Sequence, residues 1–282
     1  MSKPVIITAD STCDLSAELR EQLQVSVLPL TVMEGERAYK DGVDITPAQI
    51  YDAYRRKGQL PKTAAISPQE FTDFFTPMVE AGYEVVHLDI SAKLSGSYQN
   101  ACIAGMDLEG ICPVDTAHLS SGMTLMIIEA CRLRDEGRSA EEIAGYLNAY
   151  REKVRTSFVV DTLEFIWKGG RCSGVTALGA NLLHIKPCLE MHDGELKVGK
   201  KYRGTMRRVY AQYIRDRLAD ETIDTRAAVL VDSGAIEEEV LEELRDLVQA
   251  CRPFDTLYTA KAGCTVCSHC GPGTVGLFYA VK

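Results

Sequence analysis

EVVHLDISAKLSGSYQNA, residues Glu84 to Ala101, holds a complete folding unit. The first seven residues read as a strand, with Val85, Val86, Leu88 and Ile90 as its apolar members. A small polar turn follows, and Ser95-Gly96-Ser97 then opens a helix. The same order stands elsewhere. PVIITA (4–9) reads as a buried strand, followed by Asp10-Ser11-Thr12 and a helix from about Asp14. A third apolar run ends at Asp115, ahead of a long helical segment from Met123 to Arg134. Strand, polar turn and helix in repetition predict a parallel sheet with crossover helices. In open sheets of this kind ligands collect beyond the carboxyl ends of the strands. Each polar turn is therefore a candidate site.

Helix starts are well marked. Ser67-Pro68-Gln69-Glu70 and Ser139-Ala140-Glu141-Glu142 have capping-box spacing, and Thr46-Pro47 opens another helix through Tyr54. Residues 26–62 read as a small inserted region with strands of its own. The pattern changes after Thr156: a strand over 156–160, a short helix and the Gly169-Gly170-Arg171 turn. Asp193-Gly194 between two strand-like runs is a hairpin signal. A helix near 205–219, a strand at 227–231, a helix at 236–250 and strands near 255–260 and 274–281 complete the chain. The expected fold is α/β: an N-terminal parallel-sheet domain over 1–160 and a C-terminal α+β domain over 161–282.

Composition narrows the function. The chain has 282 residues, 46% hydrophobic and 25% charged, which is the balance of a globular protein. A net charge of −9 excludes a general nucleic-acid binder, because phosphate neutralisation needs clustered Lys and Arg. The N-terminal apolar run is too short for a signal-peptide core or a membrane span, and no later run is long enough. The expectation is a cytoplasmic chain whose ten scattered cysteines stay reduced.

Four polar turns are candidates, each with an ordinary structural alternative. Asp10 and Asp14 could hold a metal, or cap a helix and satisfy loop amides. Thr63, in Thr63-Ala64-Ala65-Ile66-Ser67-Pro68, lies too far from the helix to cap it, and its hydroxyl can donate to an acidic ligand. Ser95, Gly96 and Ser97 offer a helix start suited to one carboxylate or phosphate, without the spacing of a nucleotide loop. Lys168-Gly169-Gly170-Arg171 presents a guanidinium fork, for an anion or for solvent.

AGCTVCSHCGPGTVG (262–276) is the most ambiguous stretch. Cys264, Cys267, Cys270 and His269 could ligate zinc or an iron–sulfur cluster, or serve thiol chemistry. Four ligands within one heptapeptide close a tetrahedron awkwardly. The competing reading makes the cysteines packing residues and aims His269 into a cleft.

Together these segments resemble the DegV family of bacterial lipid-binding proteins, which includes the fatty-acid-binding subunits of fatty acid kinase. The residues that carry the likeness are ADSTCDL (9–15), the Thr63 to Pro68 turn, SAKLSGSYQNA (91–101), Asp115-Thr116, KGGR (168–171), IKP (185–187) with Asp193-Gly194, Arg203, and HCGPGTVG (269–276). The resemblance implies two domains with an acyl chain buried between them. The ligand carboxylate would meet Thr63 and Ser95 at the Gly96-Ser97 helix start, with Arg171 and His269 nearby. Arg203 would belong to a basic surface where an ATP-dependent fatty acid kinase docks. The chain would then be a carrier, with no cofactor or nucleotide site of its own. It would be a monomer, with transient membrane contact left open. His87, His118, His184 and His192 are expected to be structural.

The chain departs from the family at two places. The family often reads Thr-Ser-Gln-Pro-Ser at the second turn, and here Thr63-Ala64-Ala65-Ile66-Ser67 stands. The three-cysteine array is outside the family pattern, and keeps a metal- or thiol-dependent enzyme as the alternative.

Overall fold

The structure, a computed structural model, describes residues 3–172, 185–220 and 222–282. The chain begins with β1 (Val5–Asp10), α1 (Ala17–Leu23), β2 (Ser26–Leu28), β3 (Thr31–Glu34), β4 (Arg37–Lys40), α2 (Pro47–Lys57) and β5 (Lys62–Ala64). Next come α3 (Pro68–Glu80), β6 (Glu84–Asp89), α4 (Ser97–Gly105), β7 (Ile111–Asp115), α5 (Ser121–Asp135) and α6 (Ala140–Tyr150). The middle of the chain supplies β8 (Val154–Val159), α7 (Glu164–Gly169), β9 (Ile185–His192), β10 (Glu195–Arg203) and α8 (Met206–Arg217). The chain closes with β11 (Ile223–Asp232), α9 (Glu238–Cys251), β12 (Thr256–Lys261), α10 (Cys264–Cys270) and β13 (Val275–Val281).

Strands β2, β1, β6 and β7 make a parallel sheet in that order. Parallel strands are covered by helices on both faces, which is why their runs are apolar on both sides. Ile7 and Ala9 of β1 join Val86 and Leu88 of β6 in one core. Val85 turns the other way, onto Phe71 and Phe75 of α3 and Ala101 and Ala104 of α4. His87 shares that face by strand alternation. Its ring lies edge to face with Phe71 at 5.1 Å, and its Nδ1 is 2.8 Å from Thr8 Oγ1.

Two expectations need correction. The first helix begins at Ala17, because Ser16 supplies the cap by accepting the Leu19 N–H at 3.2 Å. Asp14 instead turns out of the helical path at φ 52. The inserted region also starts later than residue 26, since β2 is an edge strand of the parallel sheet. Beyond β2 the chain forms a small antiparallel sheet of order β4-β3-β5, with α2 between β4 and β5. All three anticipated capping boxes or proline-led starts are in place, at Thr46, Ser67 and Ser139.

The second sheet runs β10-β9-β8-β13-β11-β12 and is antiparallel except for the β11–β12 pair. Strand β8 pairs with β9 and β13, so Val154–Val159 belongs to the second sheet. Helices α8 and α9 cover one face through Val209, Ile214, Val240 and Leu244. Helix α5 covers the other, and it also lies against β1 and β6 of the parallel sheet. A helix between two sheets must be apolar around most of its circumference. Met123, Leu125, Met126, Ile127, Ala130 and Leu133 of α5 are all buried.

The cysteine stretch is helix α10, an outcome the motif reading did not anticipate. Its free N-terminal N–H groups are met by two buried carboxylates from the other end of the chain. Asp41 accepts from Cys264 N–H at 2.7 Å, Thr265 N–H at 3.1 Å and the Ser11 hydroxyl at 3.0 Å. Asp14 accepts from Gly263 N–H at 2.7 Å and from the Ser120 hydroxyl. Asp41→Ala strips two helix donors of their acceptor, and a bond to a charged group is worth about 1.5–3 kcal/mol. We expect the unfolding free energy in urea to fall by about 3 kcal/mol, with Asp41→Asn recovering part of it. A loss within error would show that water satisfies these groups instead.

Candidate functional site

Four elements converge on a cavity of about 350 Å³ between the two sheets. Strand β5 brings Thr63, the turn after β6 brings Ser95 and Gly96, the end of α7 leads to Arg171, and α10 brings His269. The remaining wall is mostly apolar, with Ile90, Leu119, Phe158, Ile166, Leu196 and Val266 among its residues and Thr12, Lys93 and Thr265 as its polar members. A polar rim over an apolar interior suits a ligand with one polar end and a long apolar body.

The rim is hydrogen-bonded within itself. Thr63 Oγ1 lies 2.9 Å from His269 Nε2. Ser95 Oγ accepts the Ser97 N–H at 3.2 Å and stands 3.0 Å from Ser97 Oγ. Arg171 is exposed, and its Nη1 donates to Gly169 O at 2.8 Å. Beyond the rim lies a second, open basin of about 700 Å³, walled by Lys62, Lys168 and the Gly58–Pro61 loop. Thr63, Arg171 and His269 line both spaces, so they mark the junction. Lys168 is held there by Glu164 at 2.8 Å and by Tyr54 Oη at 2.6 Å.

The remaining expected residues fall elsewhere. Ser97 is buried behind Ser95, where its Oγ accepts the Ile66 N–H at 3.4 Å, and it does not line the cavity. Arg203 ends β10 on the exposed surface, away from the cavity. His118 is buried, with Nδ1 3.0 Å from Thr156 Oγ1 and Nε2 2.9 Å from Arg151 O. His192 lies at the hairpin end, 3.5 Å from Glu190. His184 lies outside the described residues.

Cys264, Cys267, Cys270 and His269 all lie on α10. Successive cysteines of α10 are three residues apart, and each thiol is directed to a backbone carbonyl: Ile45 O at 3.2 Å, Ala262 O at 3.3 Å and Gly271 O at 3.6 Å. Burial pushes the Cys264 thiol up to about 12 and Cys267 is also raised, chiefly by its contact with Cys270. Such thiols are weak nucleophiles and poor ligands. Among the described residues no group of three or more His, Cys, Asp or Glu is placed to hold a metal ion. Among them, too, no helix is long and apolar enough to cross a membrane.

His269 is the electrostatic pivot. Burial, and then the nearby Arg171 charge, hold its pKa down at about 4. In the unfolded chain it titrates near ~6.5. Between these values the unfolded state binds the extra proton, so stability falls as pH drops from about 6.5 to 4. We expect His269→Gln to flatten that slope by up to about 3 kcal/mol in ligand-free protein, read from urea titrations at several pH values. His118 is also lowered to about 4 but is present in both proteins, so it cancels in the comparison. Identical slopes would show that His269 is not held neutral.

Known proteins share this fold and much of this sequence. A sequence profile of the DegV family, described as uncharacterised proteins, matches residues 4–282. A DegV domain-containing protein of Clostridium acetobutylicum is 33% identical over 285 residues, covering 100% of both chains. A solved structure of a DegV family protein from Thermus thermophilus, described by its fatty acid binding, is 32% identical, with a TM-score of 0.89 over 100% of both chains. A stearic-acid-binding protein from Eubacterium ventriosum is 28% identical, with a TM-score of 0.82 over 98% of both chains.

Proposed function

The chain belongs to the DegV family, and on that premise we propose that it binds a long-chain fatty acid and carries it without transforming it. The observation that carries this reading is the largely apolar cavity that Thr63, Ser95, His269 and Arg171 also line. The carboxylate occupies the Thr63, Ser95 and His269 end, and the tail fills the interior. A sixteen-carbon chain buries about fifteen methylene or methyl groups at ~0.8 kcal/mol each, a gross gain on the order of 12 kcal/mol before ordering costs. The tail therefore dominates affinity. The head-group residues chiefly remove the penalty of burying a carboxylate, which unpaired would cost several kcal/mol or take up a proton.

Mass spectrometry of the purified protein, native and then denatured, tests the reading. The expected result is one fatty acid released per chain. Protein that never retains or takes up a fatty acid would overturn it. Thr63→Val and Ser95→Ala each remove a donor to the carboxylate, a bond worth about 1.5–3 kcal/mol, so retention should weaken by about tenfold to a hundredfold. Wild-type retention in both variants would move the head group elsewhere.

The open basin beyond the junction gives the carboxylate a route to a second protein. We propose that an ATP-dependent fatty acid kinase uses it to phosphorylate the bound acid. Lys62, Lys168 and Arg171 suit the added negative charge there. Arg203 contributes to the docking surface. Arg203→Ala should lower kinase-coupled turnover while the lipid stays bound. An unchanged dependence of rate on carrier concentration would place docking elsewhere.

A further inference from the structure

KGGR (168–171) carries adjacent glycines that answer to different constraints. Gly170 ends α7 at φ 68, and its N–H reaches the Ile166 and Trp167 carbonyls. That left-handed cap explains a glycine by backbone conformation alone. Gly169 is still helical and carries no such demand. A Cβ at Gly169 would lie 2.4 Å from His269 Nδ1, 3.3 Å from its Cγ and 3.4 Å from its Cε1. The imidazole therefore rests against the α-carbon of Gly169, in the space a side chain would take.

This contact decides how the ring can bond. Nδ1 is buried and has no hydrogen-bond partner among the described residues, while Nε2 lies 2.9 Å from Thr63 Oγ1. A neutral imidazole has one N–H and one lone pair. A buried N–H with no acceptor is the rarer and costlier orphan. The proton therefore sits on Nε2 and is donated to Thr63 Oγ1. The Thr63 hydroxyl hydrogen is then free for an acceptor in the cavity.

We infer that Gly169 is a positioning residue for the head-group site: its missing side chain seats His269 so that Nε2 holds Thr63 as a committed donor. The inference rests on the fatty-acid reading and sharpens it. A site built this way favours a head group that only accepts, such as an ionised carboxylate. It disfavours a primary amide or an alcohol of the same chain length, each of which brings donors of its own.

The test is Gly169→Ala, alone and in a His269→Ala background. The readouts are palmitate titration of delipidated protein, melting temperature, and ¹⁵N signals of the His269 ring. Alanine is the better helix former, so a role confined to α7 predicts an unchanged or higher melting temperature. The seat predicts at least a tenfold loss of palmitate affinity, changed Nε2 and Nδ1 signals, and a lower melting temperature than wild type. In the His269→Ala background the substitution should no longer lower the melting temperature. Equal losses in both backgrounds, or unchanged ring signals with full affinity, would overturn the inference. If Gly169→Ala fails to fold, rescue by His269→Ala supports the seat and failure of rescue overturns it. If wild-type protein takes up neither palmitate nor any other long-chain fatty acid, the fatty-acid reading fails, while the ring signals of Gly169→Ala still test the seat.

Discussion

The head-group site depends on a cap formed between residues more than two hundred positions apart. Helix α10 is only seven residues long and has no side-chain cap of its own. A helix of that length is not stable in isolation. It persists because Asp41 and Asp14 accept the N–H groups of Gly263, Cys264 and Thr265. Those carboxylates belong to the N-terminal half, and the helix belongs to the last twenty residues. The same bonds that start the helix therefore fix its position against β5, and with it the approach of His269 to Thr63. Stability and site geometry are two aspects of one interaction.

Much of the fold was legible because the signals are local. Strand runs of β-branched residues, capping boxes at Ser67 and Ser139, and the Asp193-Gly194 hairpin each depend on a few neighbouring residues. Errors arose where a distant group intervened. Asp14 looks like a helix start in sequence, yet it serves a helix that begins at Cys264. The run from Ser26 to Leu28 reads as part of an insertion, yet it completes the parallel sheet beside β1. The candidate head-group residues were joined by the family resemblance rather than by local signals. Thr63, Ser95, Gly96, Arg171 and His269 come together around one cavity, while Ser97 backs it through hydrogen bonds that only the fold can show. Asp41 gave no signal, because nothing local marks an aspartate that caps a helix elsewhere.

The cysteine stretch shows how burial decides between readings of one motif. CxxCxxC with an embedded histidine suggests ligands when drawn as a line. Wound into α10, the thiols meet backbone carbonyls and the imidazole meets a threonine. Cysteine here is a small, polarisable packing residue that lets α10 sit close to α2 and α7. The ring that looked like part of a metal site is buried, and that burial lowers its pKa. An anion placed beside it would meet a hydrogen-bonding scaffold in the imidazole and a countercharge in Arg171.

Helix α5 has a mechanical consequence. Many two-part binding proteins open and shut as rigid bodies about a hinge. Here the helix that would have to part from one sheet is packed on both, with a single continuous core on either side of it. Separating the halves would expose that core to water along the whole length of the helix, at about 25 cal/mol for each Å². Rigid-body gaping is thus the costly motion, and traffic through the cavity falls to the small pieces at its mouth. Strand β5, residues 92–96 and the end of α7 are the pieces that stand at that mouth.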